Sequence, residues 1–163
     1  MMIGGNKMKK VKNIMYVFSA FLLVLGLTGC GGNKNVQGTL EEIMEKVYAN
    51  VPEDQRPMML GNIEVTDENV AMYLGTEDIE FEEALASEPA VSSIAHSVVL
   101  IRVKDNANVE LIKEKIEKNA PIRKWLCTEP EEVEVESKGD LIILIMSSES
   151  TTEKIENTFK NLK

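Results

Sequence analysis

Glu132-Val133-Glu134-Val135-Glu136-Ser137-Lys138-Gly139-Asp140-Leu141-Ile142-Ile143-Leu144-Ile145-Met146 decides the fold class. Successive side chains of a strand leave on opposite faces, so Val alternating with Glu from Glu132 to Ser137 describes a strand with one apolar and one charged side. Lys138-Gly139-Asp140 is a turn, and Leu141 to Met146 is an unbroken apolar run, as expected of a strand buried on both faces. The stretch therefore predicts an edge strand joined by a hairpin to a central one. Beyond it, Ser150-Thr151-Thr152-Glu153 reads as a capping box that opens a final helix with Ile155, Phe159 and Leu162 inward.

The preceding residues repeat this order. Ile79, Phe81 and Leu85 alternate with Glu80, Glu82 and Ala84, which predicts a half-exposed strand whose charged side faces water. After Glu88-Pro89 a longer strand is expected over about Ser92 to Val103, apolar on both faces at Val98, Val99, Leu100 and Ile101. Asn106 to Asn108 form a turn and N-cap, and Val109, Ile112 and Ile116 mark one face of a helix to about Lys118, with Leu111 and Lys115 beside it and Pro121 beyond. Upstream, Thr39-Leu40-Glu41-Glu42 is a capping box for a helix from Leu40 to about Asn50, with Leu40, Ile43, Met44, Val47, Tyr48 and Val51 on its inner face. Pro52 and Pro57 bracket a polar loop, Asn62 to Val65 reads as a short extended piece, and Asp67 to Leu74 as a helical turn closed by Gly75. The sum is one α+β domain over residues 38–163, α then ββα twice, with a four-stranded, mainly antiparallel sheet. Because both central strands are apolar on two sides, helix one, or the loop after it, is expected to cover the face opposite the other helices.

The first thirty residues are of another kind. Lys9, Lys10 and Lys12 precede an uncharged apolar run from Ile14 to Leu25, the n-region and h-region of a signal peptide over residues 1–29. The run has about a dozen apolar residues, where a spanning helix needs roughly 20. It ends at Leu27-Thr28-Gly29-Cys30, the Leu-x-Gly-Cys pattern of a lipobox: small side chains admit the signal peptidase, and the Cys30 thiol receives a diacylglyceryl group. Gly4-Gly5-Asn6-Lys7-Met8 is what a ribosome-binding sequence followed by two codons and an ATG would encode, so translation is expected to start at Met8. Residues 30–37 are read as the lipidated cysteine and a flexible tether. Gly31 to Gln37 is rich in Gly and Asn and reaches at most about 25 Å when extended. The domain is thereby held beside the bilayer, on the outer face of the cytoplasmic membrane.

Cleavage before Cys30 removes Lys7, Lys9, Lys10 and Lys12, leaving 14 of 18 Lys+Arg against all 27 Asp+Glu, a net charge of −13. Such a surface repels nucleic acid and anionic head groups. The only cysteines are Cys30 and Cys127, and lipidation of the first leaves no intrachain disulfide.

Candidate functional residues are few. Cys127 follows Arg123 and Lys124, which would favour a thiolate, but a thiol nucleophile needs a base, and nothing in the sequence brings the single histidine, His96, to it. A buried structural thiol is the preferred reading, and a partly buried, hydrogen-bonded strand position beside Ile94 and Val98 is preferred for His96. Trp125 is read as core, with Arg123 and Lys124 solvated, against the alternative of a surface anchor. Ser93, Ala95 and Ser97 share one strand face and leave room for a close-packed helix or a groove near Glu88-Pro89. Ser93, Ala95, Ser97, Arg123, Lys124 and Trp125 therefore form the candidate binding patch. Glu129, Glu131, Glu132, Glu134 and Glu136 are read as a solvated edge that discourages aggregation rather than as a calcium loop. No phosphate loop, Cys-x-x-Cys, His-x-x-x-His or Gly-x-Ser-x-Gly is present, so no catalytic role, cofactor or metal is expected.

Ser87-Glu88-Pro89, Ser93 to Val103, Lys104-Asp105 and above all Arg123-Lys124-Trp125-Leu126-Cys127 resemble a family of small, uncharacterised lipoproteins of Gram-positive bacteria, catalogued as a domain of unknown function. The likeness covers most of Leu40 to Leu162, and its most specific piece is Lys-Trp-x-Cys at Lys124 to Cys127. It implies export, lipidation and a stand-alone domain, and carries no activity across. The expected function is a noncatalytic binding or interaction module that takes an envelope protein, peptide or other ligand. The alternative is a small-solute-binding lipoprotein serving a transporter.

Overall fold

The computed structural model describes residues 35–163; the expected signal peptide and the lipobox Leu27, Thr28, Gly29 and Cys30 lie outside the described residues. Helix α1, Leu40–Val47, starts at a capping box in which Thr39 and Glu42 satisfy each other's backbone amides. Strand β1, Leu60–Glu64, leads to the short helix α2, Val70–Leu74, and then to β2, Glu83–Pro89, and β3, Ser97–Arg102. Helix α3, Val109–Asn119, is capped by the Asn108 side chain on the Leu111 amide. Strands β4, Glu132–Lys138, and β5, Leu141–Ser147, form the hairpin, turned at Gly139 with φ 62°, and helix α4, Glu149–Lys160, follows.

The fold is α+β, built on one antiparallel sheet of order β1-β2-β3-β5-β4. The described residues form five strands rather than the expected four. The short extended piece is β1, and it pairs with Leu85 to Pro89 on the outer side of β2, with Leu60 opposite Pro89 and Glu64 opposite Leu85. Strand β2 is consequently interior, with Ala84, Leu85, Ala86 and Ser87 buried, and not the half-exposed strand that Ile79 and Phe81 suggested. Ile79 and Phe81 instead pack on the core from the connection before it. Strand β3 starts later than expected because the chain turns at residues 90–94, closed by a bond from the His96 amide to the Ile94 carbonyl of 3.0 Å. Ser93 therefore lies in the turn and Ala95 just after it, neither on a strand face. The last helix begins at Ser148, whose hydroxyl bonds the Thr151 hydroxyl, two residues before the expected capping box.

Each face of the sheet carries its own core. Val99, Ile101, Ile142, Leu144 and Met146 pack with Tyr73, Leu74, Ile112, Ile116 and Trp125 under α2 and α3. Val98, Leu100, Leu141, Ile143 and Ile145 pack with Leu40, Ile43, Val47, Ile155 and Phe159 under α1 and α4. Helix one thus lies opposite α2 and α3 as expected, but it shares its face with α4. Burial on both sides is why β3 and β5 tolerate no polar residue in their middles.

Order also begins earlier than the predicted tether allows. Val36 is buried, its amide bonds Asp140 Oδ1, and the Arg102 guanidinium binds the Val36 and Gly38 carbonyls while pairing with Glu83 and Asp140. The last residues of the expected tether are therefore docked on the domain.

Candidate functional site

The end of β2, the start of β3 and the end of β5 meet at one end of the sheet, and polar residues concentrate there. Alternation sends them to opposite faces. Glu88 and Ser97 face α2 and α3; His96 and Ser147 face α1.

On the first face the Ser97 hydroxyl donates to Glu88 Oε1 at 2.6 Å, and Lys124 Nζ pairs with the same oxygen and lies 3.2 Å from Ser97 Oγ. The ammonium stands 5.1 Å from the ring centres of both Tyr73 and Trp125. Burial draws the Lys124 ammonium below its usual range, opposed by Glu88. A serine beside a lysine is a nucleophile–base arrangement in some hydrolases, but here the geometry serves another end. Ser97 is fully buried, and a lysine paired with a carboxylate has no lone pair with which to accept the serine proton. The triad clamps the segment after α3 onto the sheet, helped by the Leu126 amide on the Ser92 carbonyl at 3.0 Å.

On the other face Tyr48 Oη lies 2.7 Å from His96 Nε2, and Ser147 Oγ lies 2.8 Å from His96 Nδ1. All three side chains are buried. A neutral imidazole needs one donor and one acceptor, and two hydroxyls satisfy either tautomer. Burial holds the Tyr48 hydroxyl well above its usual range and pushes His96 down to about 4. The unfolded chain takes up this proton near pH 6.5 and the folded one near 4, so stability is fully present above the unfolded value. It is lost as pH falls through the window, by about 3 kcal/mol. Urea unfolding at about pH 7 and about pH 4 is expected to show this loss in the wild type and not in His96→Gln. Equal pH dependence in the two proteins would assign it elsewhere.

The candidate patch is thus only partly assembled. Ser97, Lys124 and Trp125 come together, with Trp125 buried as expected and Lys124 half-buried where solvation was expected. Arg123 is exposed and pairs loosely with Glu129 at 3.5 Å. Ser93 is exposed and Ala95 half-buried, and neither joins the triad. Cys127 is exposed rather than buried: its backbone turns left-handed at φ 58°, which swings the chain away from the core toward β4. Arg123, Trp125, Cys127, Thr128 and Glu129 line an open groove there. No sequence signal paired Tyr48 with His96, although a tyrosine on an apolar helix face requires a polar partner for its hydroxyl.

The glutamates of β4 are also not a freely solvated edge. Glu132, Glu134 and Glu136 are half-buried on the face covered by α4. Glu134 is pushed up by burial and by the charges of Glu156 and Glu136, while a hydrogen bond from Lys160 holds Glu136 down.

No protein-family model, curated protein or solved structure matches this chain.

Proposed function

We propose that the protein is a lipid-anchored, extracytoplasmic binding module without catalytic activity, and that it takes an extended basic peptide segment along the free edge of β1. The anchor rests on the lipobox at Cys30 and on the resemblance to small Gram-positive lipoproteins. The contrast between the two sheet edges carries the binding reading.

The β4 edge is guarded. Glu136 is bound by Lys113 of α3 and Lys160 of α4, one from each face, and Lys138 reaches the Lys160 carbonyl. Strand β1 has no such device. Gly61, Asn62, Ile63 and Glu64 are all exposed. The Met59 carbonyl and Val65 amide turn toward β2, so alternation turns the backbone groups of Leu60, Asn62 and Glu64 outward. Among the described residues only the Glu64 carbonyl is taken, by Asn69. An added strand would find the remaining groups open.

Charge selects the occupant. The open cleft of about 390 Å³ beside β1 is lined by Glu41, Glu64, Asp67, Glu82 and Glu83, of which Glu83 alone has a cationic partner, Arg102, among the described residues. A second copy would bring the same carboxylates and be repelled, whereas a lysine-rich strand would be attracted.

Two substitutions test the parts separately. Cys30→Ser is expected to abolish incorporation of a fatty-acid probe; persistent labelling would remove the anchor. Asn62→Pro deletes an outward amide while leaving the β2 ladder intact. Extended lysine-rich peptides are expected to bind the wild type in a salt-sensitive manner and to lose binding to Asn62→Pro. Unchanged binding, or none to the wild type, would exclude strand addition at β1.

A further inference from the structure

The free edge of β1 has two unlike sides. Asn62 and Glu64 stand opposite Ser87 and Leu85, and Leu85 packs in the core under α1 and α4, so these residues leave on the α1 side. Gly61 and Ile63 stand opposite Glu88 and Ala86, and Ala86 packs in the core under α2 and α3, so they leave on the α2 side.

The α1 side is charged. Glu64 shares a cleft with Glu41, and neither carboxylate enters an ion pair among the described residues. The α2 side is neutral. Glu88, opposite Gly61, is matched by Lys124 and accepts the Ser97 hydroxyl. Ile63 is 37 % exposed, and a side chain at Gly61 would meet no atom within 4 Å. An apolar side chain and an open space therefore adjoin each other on that side of the edge, where a charge would ordinarily guard it.

The backbone fixes how an added strand would meet these two sides. All four ladders of the sheet are antiparallel, and the outward groups of β1 belong to Leu60, Asn62 and Glu64. A sixth strand in the same sense would exchange hydrogen bonds at those residues. It would face Gly61 and Ile63 in non-hydrogen-bonded pairs, where opposing side chains come closest.

We propose that the β1 edge selects an extended peptide in which basic and apolar residues alternate, the apolar ones over Gly61 and Ile63 and the basic ones over Asn62 and Glu64. This rests on strand addition at β1 and sharpens it: charge alone accepts any lysine-rich strand, whereas an edge with one acidic and one apolar side demands a period of two. A run of like residues sends every second side chain to the wrong side. Lysine over Ile63 covers an apolar surface with a charge, and an apolar residue over Glu64 leaves the carboxylate unmatched.

Two capped, fluorophore-labelled hexapeptides of equal composition separate pattern from charge: one alternates Lys and Val, the other groups three Lys before three Val. Each would be titrated by fluorescence anisotropy against the full chain in detergent micelles, with protein-free micelles as the blank. The alternating peptide is expected to bind the wild type roughly tenfold more tightly than the grouped one, from two favourable cross-strand pairs and the charge match beside them. Ile63→Ser, at an exposed edge position, is expected to lower the affinity of the alternating peptide severalfold and leave that of the grouped peptide unchanged. Equal affinity of the two peptides for the wild type, with both lost in Asn62→Pro, would overturn the alternation and leave strand addition standing. Binding of neither would remove both readings. An undiminished preference in Ile63→Ser would place the apolar contact elsewhere and overturn the assignment of sides.

Discussion

Replacing Lys124 with methionine is expected to destabilise the domain by about 2–4 kcal/mol, somewhat less than removing one partner of a fully buried ion pair costs. The Glu88 and Lys124 side chains are 18 % and 13 % exposed, so little water is available to solvate the carboxylate once the ammonium is gone. Methionine keeps the aliphatic stem against Tyr73 and Trp125, so the loss isolates the charge rather than the packing. Adding Glu88→Gln is expected to recover most of the stability, because the amide carbonyl still accepts the Ser97 hydroxyl and no charge is left buried. Urea unfolding of the two single variants and the double variant measures this. Strictly additive losses would mean that Glu88 and Lys124 do not act as a pair.

Gly75→Ala is expected to cost about 3 kcal/mol or more, a large effect for one methyl group. Gly75 closes α2 with φ 74°, where a side chain alone costs about 1–2 kcal/mol. In addition, a Cβ at this position would lie 1.7 Å from the Asn119 carbonyl oxygen, at the end of α3. That neighbour is backbone and cannot rotate away, so α2 and α3 must separate. Gly61→Ala is the matched control: its Cβ meets nothing within 4 Å, and its stability should stay within about 0.5 kcal/mol of the wild type. A Gly75→Ala variant as stable as Gly61→Ala would show that the helices do not approach closely there.

Much of the fold was legible because its signals are local. The β4–β5 hairpin, the caps at Thr39 and Asn108 and the inward positions of Ile155 and Phe159 each depend on residues a few positions apart. Alternation and helical spacing report those directly. The strand errors came from residues whose burial depends on distant partners. Ile79 and Phe81 alternate like a strand, yet β2 begins at Glu83, because its partner β3 ends at Arg102, opposite Glu83. The final capping box matched in residue types and not in position, since Ser148 and Ser150 both offer a hydroxyl within one turn.

The chemistry at the sheet end was less legible for the same reason. Ser97, Lys124 and Trp125 were singled out, but Glu88, which neutralises the lysine, lies 36 residues from it, and Tyr48 lies 48 residues from His96. The β4 glutamates read as a solvated edge until α4 brought Glu156 and Lys160 against them.

By itself the sequence determined that this chain forms an α+β domain with a two-sided apolar sheet and a strongly acidic composition. Those properties follow from residue type and short-range periodicity, which act before any long-range contact forms. Only the tertiary structure decided that the sheet of the described residues has five strands, that one edge is strapped and the other open, that Lys124 is half-buried while Cys127 is exposed, and which carboxylates lie together. Each of these depends on what packs against a residue from far along the chain, and periodicity carries no information about that.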